Sequence, residues 1–120
     1  MITKIFLEDV KIYAYHGVLP EERKIGTYFL VNAEIGYDFA EAIASDRLEN
    51  TISYAEVNRI IHEEMEISSI LIEHVAGRIF NRIRNEFPKI QSLKIKITKT
   101  NPPMKGELYG ASVEIEEVFE

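Results

Sequence analysis

The sequence of 120 residues contains no cysteine. This absence excludes a disulfide framework, a thiolate metal site and a thiol nucleophile. Basic residues are also in deficit, because 14 lysines and arginines stand against 20 aspartates and glutamates, for a formal charge of −6. That sign disfavours a protein that binds phosphate backbones or anionic membranes, so we expect neither nucleic acid nor membrane as a partner.

Long hydrophobic runs are missing as well. At the start, MITKIFLEDVK, charges interrupt the apolar residues too early for a signal peptide or a membrane span. We therefore expect a soluble cytoplasmic protein. Residues 1–120 are long enough for a single domain with a hydrophobic core but few for a deep pocket within one subunit. A site between subunits is therefore a possibility to consider.

The usual metal and nucleotide motifs are absent too. His16, His62 and His74 follow no H-x-H or H-E-x-x-H spacing, which gives a zinc site little support, and we expect them to be surface or structural residues. No G-x-S-x-G elbow or phosphate-cradling glycine loop occurs. We expect no metal and no other cofactor.

The sequence does contain clear changes of period. Apolar residues alternate in steps of two in four stretches, near residues 3–17, 28–38, 93–99 and 111–116, which indicates strands. The segment GVLPEERKIGT, between the first two, has the composition of a loop. In the middle, Ser53 and Glu56 form a capping-box pattern before one helical stripe, and a second stripe begins near Ser68 or Ser69 and ends at Pro88.

The predicted order is therefore β-β-α-α-β-β. Two helices on one face of a four-stranded, largely antiparallel sheet bury both apolar stripes, which is an α+β architecture. The unpaired edges of so small an open sheet favour symmetric assembly.

Lys99 continues the inward face of the third strand. Steps of two back from it reach Ile97, Ile95 and Leu93, and Asn-Pro-Pro ends the strand directly afterwards. Burial disfavours the charged form of a lysine and makes its amine a usable base. The alternative is a strand-end lysine whose head reaches into solvent.

Three other residues carry groups suited to a polar ligand. Glu73 borders the apolar stripe in the first turns of the second helix, where a carboxylate is favoured and can accept two parallel hydrogen bonds from an amide or guanidine edge. Tyr54, at the start of the first helix, can donate or accept a proton, and Glu22, in the long loop, can bind a polyol. Each residue also has an explanation without a ligand. Glu73 can stabilise the helix dipole, Tyr54 can be a packing residue, and Glu22 can be solvated.

Four stretches carry a family resemblance through their order and spacing: YHGVLPEERKIG at 15–26, DRLENTISYAEV at 46–57, LIEHVAGRI at 71–79 and KIKITKTNPPM at 94–104. Over nearly the whole chain they resemble dihydroneopterin aldolase, the folate-biosynthesis enzyme family of the tunnelling fold. The resemblance implies that four subunits join their sheets into a barrel, usually with two rings stacked as an octamer, and that the active sites lie between neighbours.

The resemblance also implies a set of site residues. They are Val18, Glu22, Ile72, Glu73 and Lys99 on one subunit and Thr51, Ile52 and Tyr54 on the adjacent one. Glu73 would bind the amino-pyrimidinone edge of a pterin, and Glu22 its hydroxylated side chain. Lys99 and Tyr54 would be catalytic.

The implied reaction is the retro-aldol cleavage of dihydroneopterin to hydroxymethyl-dihydropterin and glycolaldehyde. Because a ring imine beside the substrate's side chain can take up the electrons, the resemblance implies neither a metal nor a Schiff base. Lys99 would help to deprotonate the side-chain hydroxyl, and Tyr54 would support protonation of the enol.

Two other functions stay open. An epimerase acting on dihydroneopterin or its triphosphate shares the same intermediate, and a triphosphate would need extra cations, for which Arg23, Lys24 and Lys105 are the candidates. A non-catalytic pterin-binding oligomer would keep its function in the variant Lys99→Ala.

Overall fold

The computed structural model describes residues 1–120 and contains a four-stranded antiparallel sheet with two long helices on one face. The strands are β1 (Lys4–Ala14), β2 (Thr27–Gly36), β3 (Ser92–Thr100) and β4 (Gly110–Val118), and the helices are α1 (Pro20–Ile25), α2 (Ala40–Ser45), α3 (Tyr54–Met65) and α4 (Ile72–Glu86). In the sheet the strands follow the order β1-β2-β3-β4, so β1 and β4 are its edges. The predicted α+β class and the β-β-α-α-β-β order of the long elements are confirmed.

One face of the sheet and the apolar stripes of α3 and α4 form a single core. Its strand residues are Ile12, Ala14, Phe29, Val31, Ala33, Ile35, Leu93, Ile95 and Ile97, and its helix residues include Val57, Ile60, Ile61, Met65, Val75, Ala76, Ile79, Phe80 and Ile83. Full burial of one large apolar side chain contributes about 1.5–3 kcal/mol. This packing fixes both long helices on the sheet.

The other face of the sheet carries exposed aromatic side chains, including Phe6, Tyr13 and Tyr28, together with charged ones. Glu34 lies near both Lys4 (3.6 Å) and Lys94 (3.8 Å), and Lys94 also reaches Glu116 at 3.6 Å. These charges form a row across the strands. Because they are partly exposed, they keep this face hydrated and contribute little stability.

Local structure departs from the sequence predictions in three places. Residues 17–27 are not wholly a loop, because α1 lies within them, with Pro20 at the first helical position, where a missing N–H costs nothing. Helix α2 and a 3-10 turn at Leu48–Asn50 precede α3 without a signal in the sequence pattern. Helix α4 begins at Ile72 rather than at Ser68 or Ser69.

The predicted start of α3 is confirmed, but the predicted capping hydrogen bonds are not formed. Ser53 is the residue before the helix, yet its side chain makes no capping hydrogen bond. Glu56 instead forms an ion pair with Arg59 at 2.9 Å. The buried stripe of the helix therefore sets its position more than the cap does. None of the helices is long and apolar enough to cross a bilayer.

Candidate active site

Lys99 and Glu22 form an ion pair at one end of the sheet. Lys99 stands opposite Phe29 of β2 and Ala111 of β4, and 14% of its side chain is exposed. Its Nζ donates a hydrogen bond of 2.8 Å to Oε2 of Glu22. The side chain thus faces inward, as the strand alternation predicts, and its partner is a carboxylate rather than solvent.

Helix α1 and the four residues before it hold Glu22 in place. Oε1 of Glu22 accepts a hydrogen bond from the Leu19 N–H at 3.2 Å. Nη1 of Arg23 donates to the carbonyl oxygens of Gly17 and Val18 at 2.8 and 2.9 Å. A Cβ added at Gly17 would stand 2.4 Å from Cβ of Glu22, so the close approach of this backbone requires glycine.

The surroundings of Glu22 favour its charged form. Desolvation by burial raises its pKa, but hydrogen bonds from Lys99 and from the N–H groups of Leu19 and Val18 outweigh this effect, and the pKa lies below the usual value of a glutamate. Glu22 is therefore an anion at neutral pH, able to accept hydrogen bonds from hydroxyl groups.

Ile72 and Glu73 lie at the same end of the molecule, where α4 begins. Ile72 is buried, whereas Glu73 is exposed in the first turn of α4, where unpaired helix N–H groups favour an anion. The turn before them contacts the chain before α1 through a hydrogen bond of 3.0 Å from the Gly17 N–H to the carbonyl oxygen of Ser69. Val18, Glu22, Ile72, Glu73 and Lys99 therefore share one end of the sheet.

His16 is buried in this contact, with 1% of its surface exposed. Its Nδ1 accepts a hydrogen bond of 3.0 Å from the Ser69 N–H. Burial lowers the pKa of His16 to about 4, and the positive charges of Arg78 and Lys99 act in the same direction. The ring is therefore neutral at neutral pH and serves as an acceptor.

Thr51, Ile52 and Tyr54 lie elsewhere, beside an apolar groove of about 570 Å³. The other residues along this groove are Lys4, Ile5, Phe6, Phe39, Ala42, Leu48, Ser53 and Ala55. Ile52 is buried, but 67% of Tyr54 is exposed. A large exposed tyrosine beside an open apolar groove is available to a ligand or to another chain.

The sheet register separates this groove from Lys99. Lys99 pairs with Phe29, whereas Ile5, which lines the groove, pairs with Ile35. The two positions are six residue steps apart on β2, which is about 20 Å along an extended strand. One chain therefore does not bring Tyr54 to Lys99.

Comparison with known proteins gives the family. The model of the dihydroneopterin aldolase family matches residues 5–116. A dihydroneopterin aldolase from Streptococcus pyogenes serotype M6 is 40% identical over 116 residues, which cover 96% of this chain and 98% of that protein. The chain belongs to the dihydroneopterin aldolase family. It is accordingly an enzyme, with the aldolase activity of folate biosynthesis.

Solved structures of this family share the fold. A Vibrio cholerae protein described as a dihydroneopterin aldolase superposes with a TM-score of 0.88 at 27% identity, covering 98% of both chains. The E. coli dihydroneopterin aldolase, solved in complex with neopterin, has a TM-score of 0.87 at 22% identity, covering 96% of this chain and 98% of that one. The predicted tunnelling fold is therefore confirmed.

Sequence reasoning missed the residues that support the site. His16 was expected to be a surface or structural residue, and the structure makes it structural. Arg23 was a candidate phosphate ligand, but its Nη1 is bound to backbone carbonyl groups. The contact of Ser69 with His16 carries no local signal, because the two residues are 53 positions apart in the chain.

Acid should destabilise the fold through His16. Its pKa is 6.5 as a free side chain and about 4 in the fold, so the unfolded chain binds more protons between these pH values. Its stabilising contribution is complete above pH 6.5 and is lost as the pH falls towards 4, with a slope of at most about 1.4 kcal/mol per pH unit.

The measurement is the urea midpoint of the wild type and of His16→Asn across this pH range, at one protein concentration because assembly shifts apparent stability. The wild type should lose more stability than the variant, since the other titrating groups are common to both. Equal pH dependence in the two proteins would contradict the assignment.

Proposed function

We propose that this enzyme binds its dihydropterin substrate between two copies of the chain. One copy supplies Val18, Glu22, Ile72, Glu73 and Lys99, and the other supplies Thr51, Ile52 and Tyr54. The observation that carries the proposal is the separation of about 20 Å between the two groups along β2. A reaction that needs both Lys99 and Tyr54 then requires a second chain.

Glu73 is the proposed anchor for the pterin ring. The amino-pyrimidinone edge of a pterin offers two adjacent N–H donors, which match the two oxygens of a carboxylate. Glu73 is exposed at the first turn of α4, so its oxygens are open to a ligand. The buried Ile72 places the backbone beside it, and the exposed Val18 supplies an apolar wall. The neopterin bound to the E. coli relative has this same ring edge.

Glu22 and Lys99 are the proposed partners of the substrate's side chain. Glu22 is held as an anion and accepts hydrogen bonds from hydroxyl groups. Because Lys99 is 2.8 Å from Glu22, a hydroxyl that binds to Glu22 lies within reach of the lysine, directly or through one water molecule. Fixing both ring and hydroxyl supplies the orientation that the reaction needs.

The proposed mechanism moves two protons. Lys99 first passes its own proton to solvent, and the neutral amine then takes, through a bound water, the proton of the side-chain hydroxyl. The adjacent carbon–carbon bond breaks, and its electrons pass into the ring imine. Glycolaldehyde leaves with the new carbonyl group. Tyr54 of the second copy supports protonation of the remaining enol on carbon, which gives hydroxymethyl-dihydropterin.

Charges of both signs bear on a triphosphate substrate. Lys99 is paired with Glu22, and Nη1 of Arg23 is bound to the carbonyl oxygens of Gly17 and Val18. Lys24 and Lys105 are exposed and form no ion pair, so they stay candidate phosphate ligands. Glu73 adds a further negative charge at this end of the sheet. Epimerisation of dihydroneopterin itself stays open as a side activity, because it needs only re-addition of glycolaldehyde to the same intermediate.

The proposed assembly is a ring of four copies, with two rings stacked as an octamer. Both sheet edges, β1 and β4, lack a partner strand within the chain. Joining β1 of one copy to β4 of the next would satisfy these edges and close the sheet into a barrel. A cytoplasmic location stays a prediction.

Two substitutions should separate binding from chemistry. Lys99→Ala should abolish turnover but keep the affinity for neopterin within about threefold of the wild type, because the anchor of the ring is unchanged. Glu73→Ala should lower the affinity for neopterin about tenfold or more, because one charged hydrogen-bonding partner of the ring is removed. Turnover and fluorescence titration with neopterin measure the two effects.

The matched controls are Lys96→Ala, on the exposed face of the same strand, and Glu86→Ala, at the far end of the same helix. Both should behave as the wild type. Loss of neopterin affinity in Lys99→Ala together with its retention in Glu73→Ala would reverse the assignments. Full turnover by Lys99→Ala would favour a site in which this lysine only binds.

The products distinguish the aldolase reaction from epimerisation. Purified protein incubated with dihydroneopterin, with a chelator present, should yield hydroxymethyl-dihydropterin and an equal amount of glycolaldehyde, resolved by chromatography. Dihydromonapterin beside them would show that epimerisation shares the intermediate. Dihydromonapterin alone would contradict the proposed cleavage mechanism.

A further inference from the structure

His16 lies where two separate parts of the proposed site meet. The chain that follows it carries Val18 and Glu22. The turn that contacts it, at Ser69, leads directly to Ile72 and Glu73. These two parts are distant in sequence, so their relative position depends on contacts between them.

The contact uses both backbone polar groups of Ser69. Nδ1 of His16 accepts the Ser69 N–H at 3.0 Å, and the Gly17 N–H donates to the Ser69 carbonyl oxygen at 3.0 Å. The hydroxyl of Ser68 donates to the carbonyl oxygen of Tyr15. Three hydrogen bonds thus join residues 15–17 to residues 68–69, and the His16 ring provides the only side-chain acceptor among them.

Arg78 of α4 holds the turn from the other side. Its Nη2 donates to Oγ of Ser69 at 3.0 Å and to the carbonyl oxygen of Ile67 at 2.7 Å. Its Nη1 donates to Oε1 of Glu64 on α3 at 3.1 Å. Arg78 therefore fixes the turn to the helices. The contact with His16 in turn fixes the segment that carries Glu22 to this turn.

The burial of the His16 ring suits it to a structural task. It is 1% exposed and packs edge-on against Phe29, with ring centroids 5.2 Å apart. Because Nδ1 accepts a hydrogen bond in a neutral ring, the proton resides on Nε2. The ring thus supplies one hydrogen-bond acceptor, Nδ1, for the Ser69 N–H.

We propose that His16 is a positioning residue that sets the distance between Glu22 and Glu73, and so makes the affinity for the pterin ring and the affinity for its hydroxylated side chain depend on each other. This inference rests on the proposed function, because it takes these two glutamates as the partners of the two ends of the ligand.

The test compares two ligands, neopterin and pterin, which is the same ring without the side chain. The ratio of their dissociation constants reports the contribution of the side-chain contacts alone. His16→Phe keeps a ring but removes the acceptor, whereas His16→Asn keeps an oxygen at the place of Nδ1. Ile83→Val, in the buried core near the far end of α4, is the control for a general loss of stability.

In the wild type, neopterin should bind more tightly than pterin. In His16→Phe the ratio of the two dissociation constants should fall about tenfold, which is the effect of one lost hydrogen bond. In His16→Asn the ratio should stay within about twofold of the wild type. Ile83→Val should lower the melting temperature and leave the ratio unchanged. If His16→Phe does not fold, His16→Gln, whose amide extends past the place of Nδ1, should show the same loss.

The failures are distinguishable. No binding of either ligand by the folded wild type would overturn the proposed site and the coupling with it. Normal binding by the wild type, with an unchanged ratio in the folded variant that lacks the acceptor, would overturn the coupling alone. A loss in His16→Asn as large as that in His16→Phe would show that the ring, not its acceptor, matters.

Discussion

The register of the antiparallel sheet decides where every group of the site lies. Because β3 pairs with β2 from Phe29 onward, Lys99 stands at one end of the sheet, next to α1 and the start of α4. Because the start of β1, at Ile5, pairs with Ile35 at the other end of β2, the groove beside Tyr54 stands about 20 Å away along the strands. The proposed use of Lys99 and Tyr54 in one site therefore requires two chains.

The charges at the Lys99 end fit a neutral, hydrogen-bonding ligand. The one inward lysine is balanced by Glu22, which its partners keep ionised, and the exposed Glu73 adds an acceptor without a countercharge. Such a site offers acceptors to the N–H edge of a pterin and to hydroxyl groups. The same balance explains why a largely buried lysine is tolerated, since a buried charge needs a partner.

Some of this site can be predicted from sequence because it rests on local patterns. The inward direction of Lys99 follows from the alternation of β3 and the prolines after it, and the position of Glu73 follows from the stripe of α4. The partners of these residues cannot be predicted in this way. Glu22 meets Lys99 across 77 residues, and His16 meets Ser69 across 53. Helix α1, with six residues, is too short to show a period.

The claim that two chains form one site is tested most directly by mixing two inactive variants. Lys99→Ala and Tyr54→Phe, each inactive alone, should regain activity when co-expressed or refolded together, because random mixing in a ring restores about a quarter of the sites. A mixture of Lys99→Ala with Glu73→Ala is the control, since both changes fall in the same half-site and no intact site can form. Failure of the first mixture to recover activity, with mixed oligomers shown by mass, would contradict a site shared between copies.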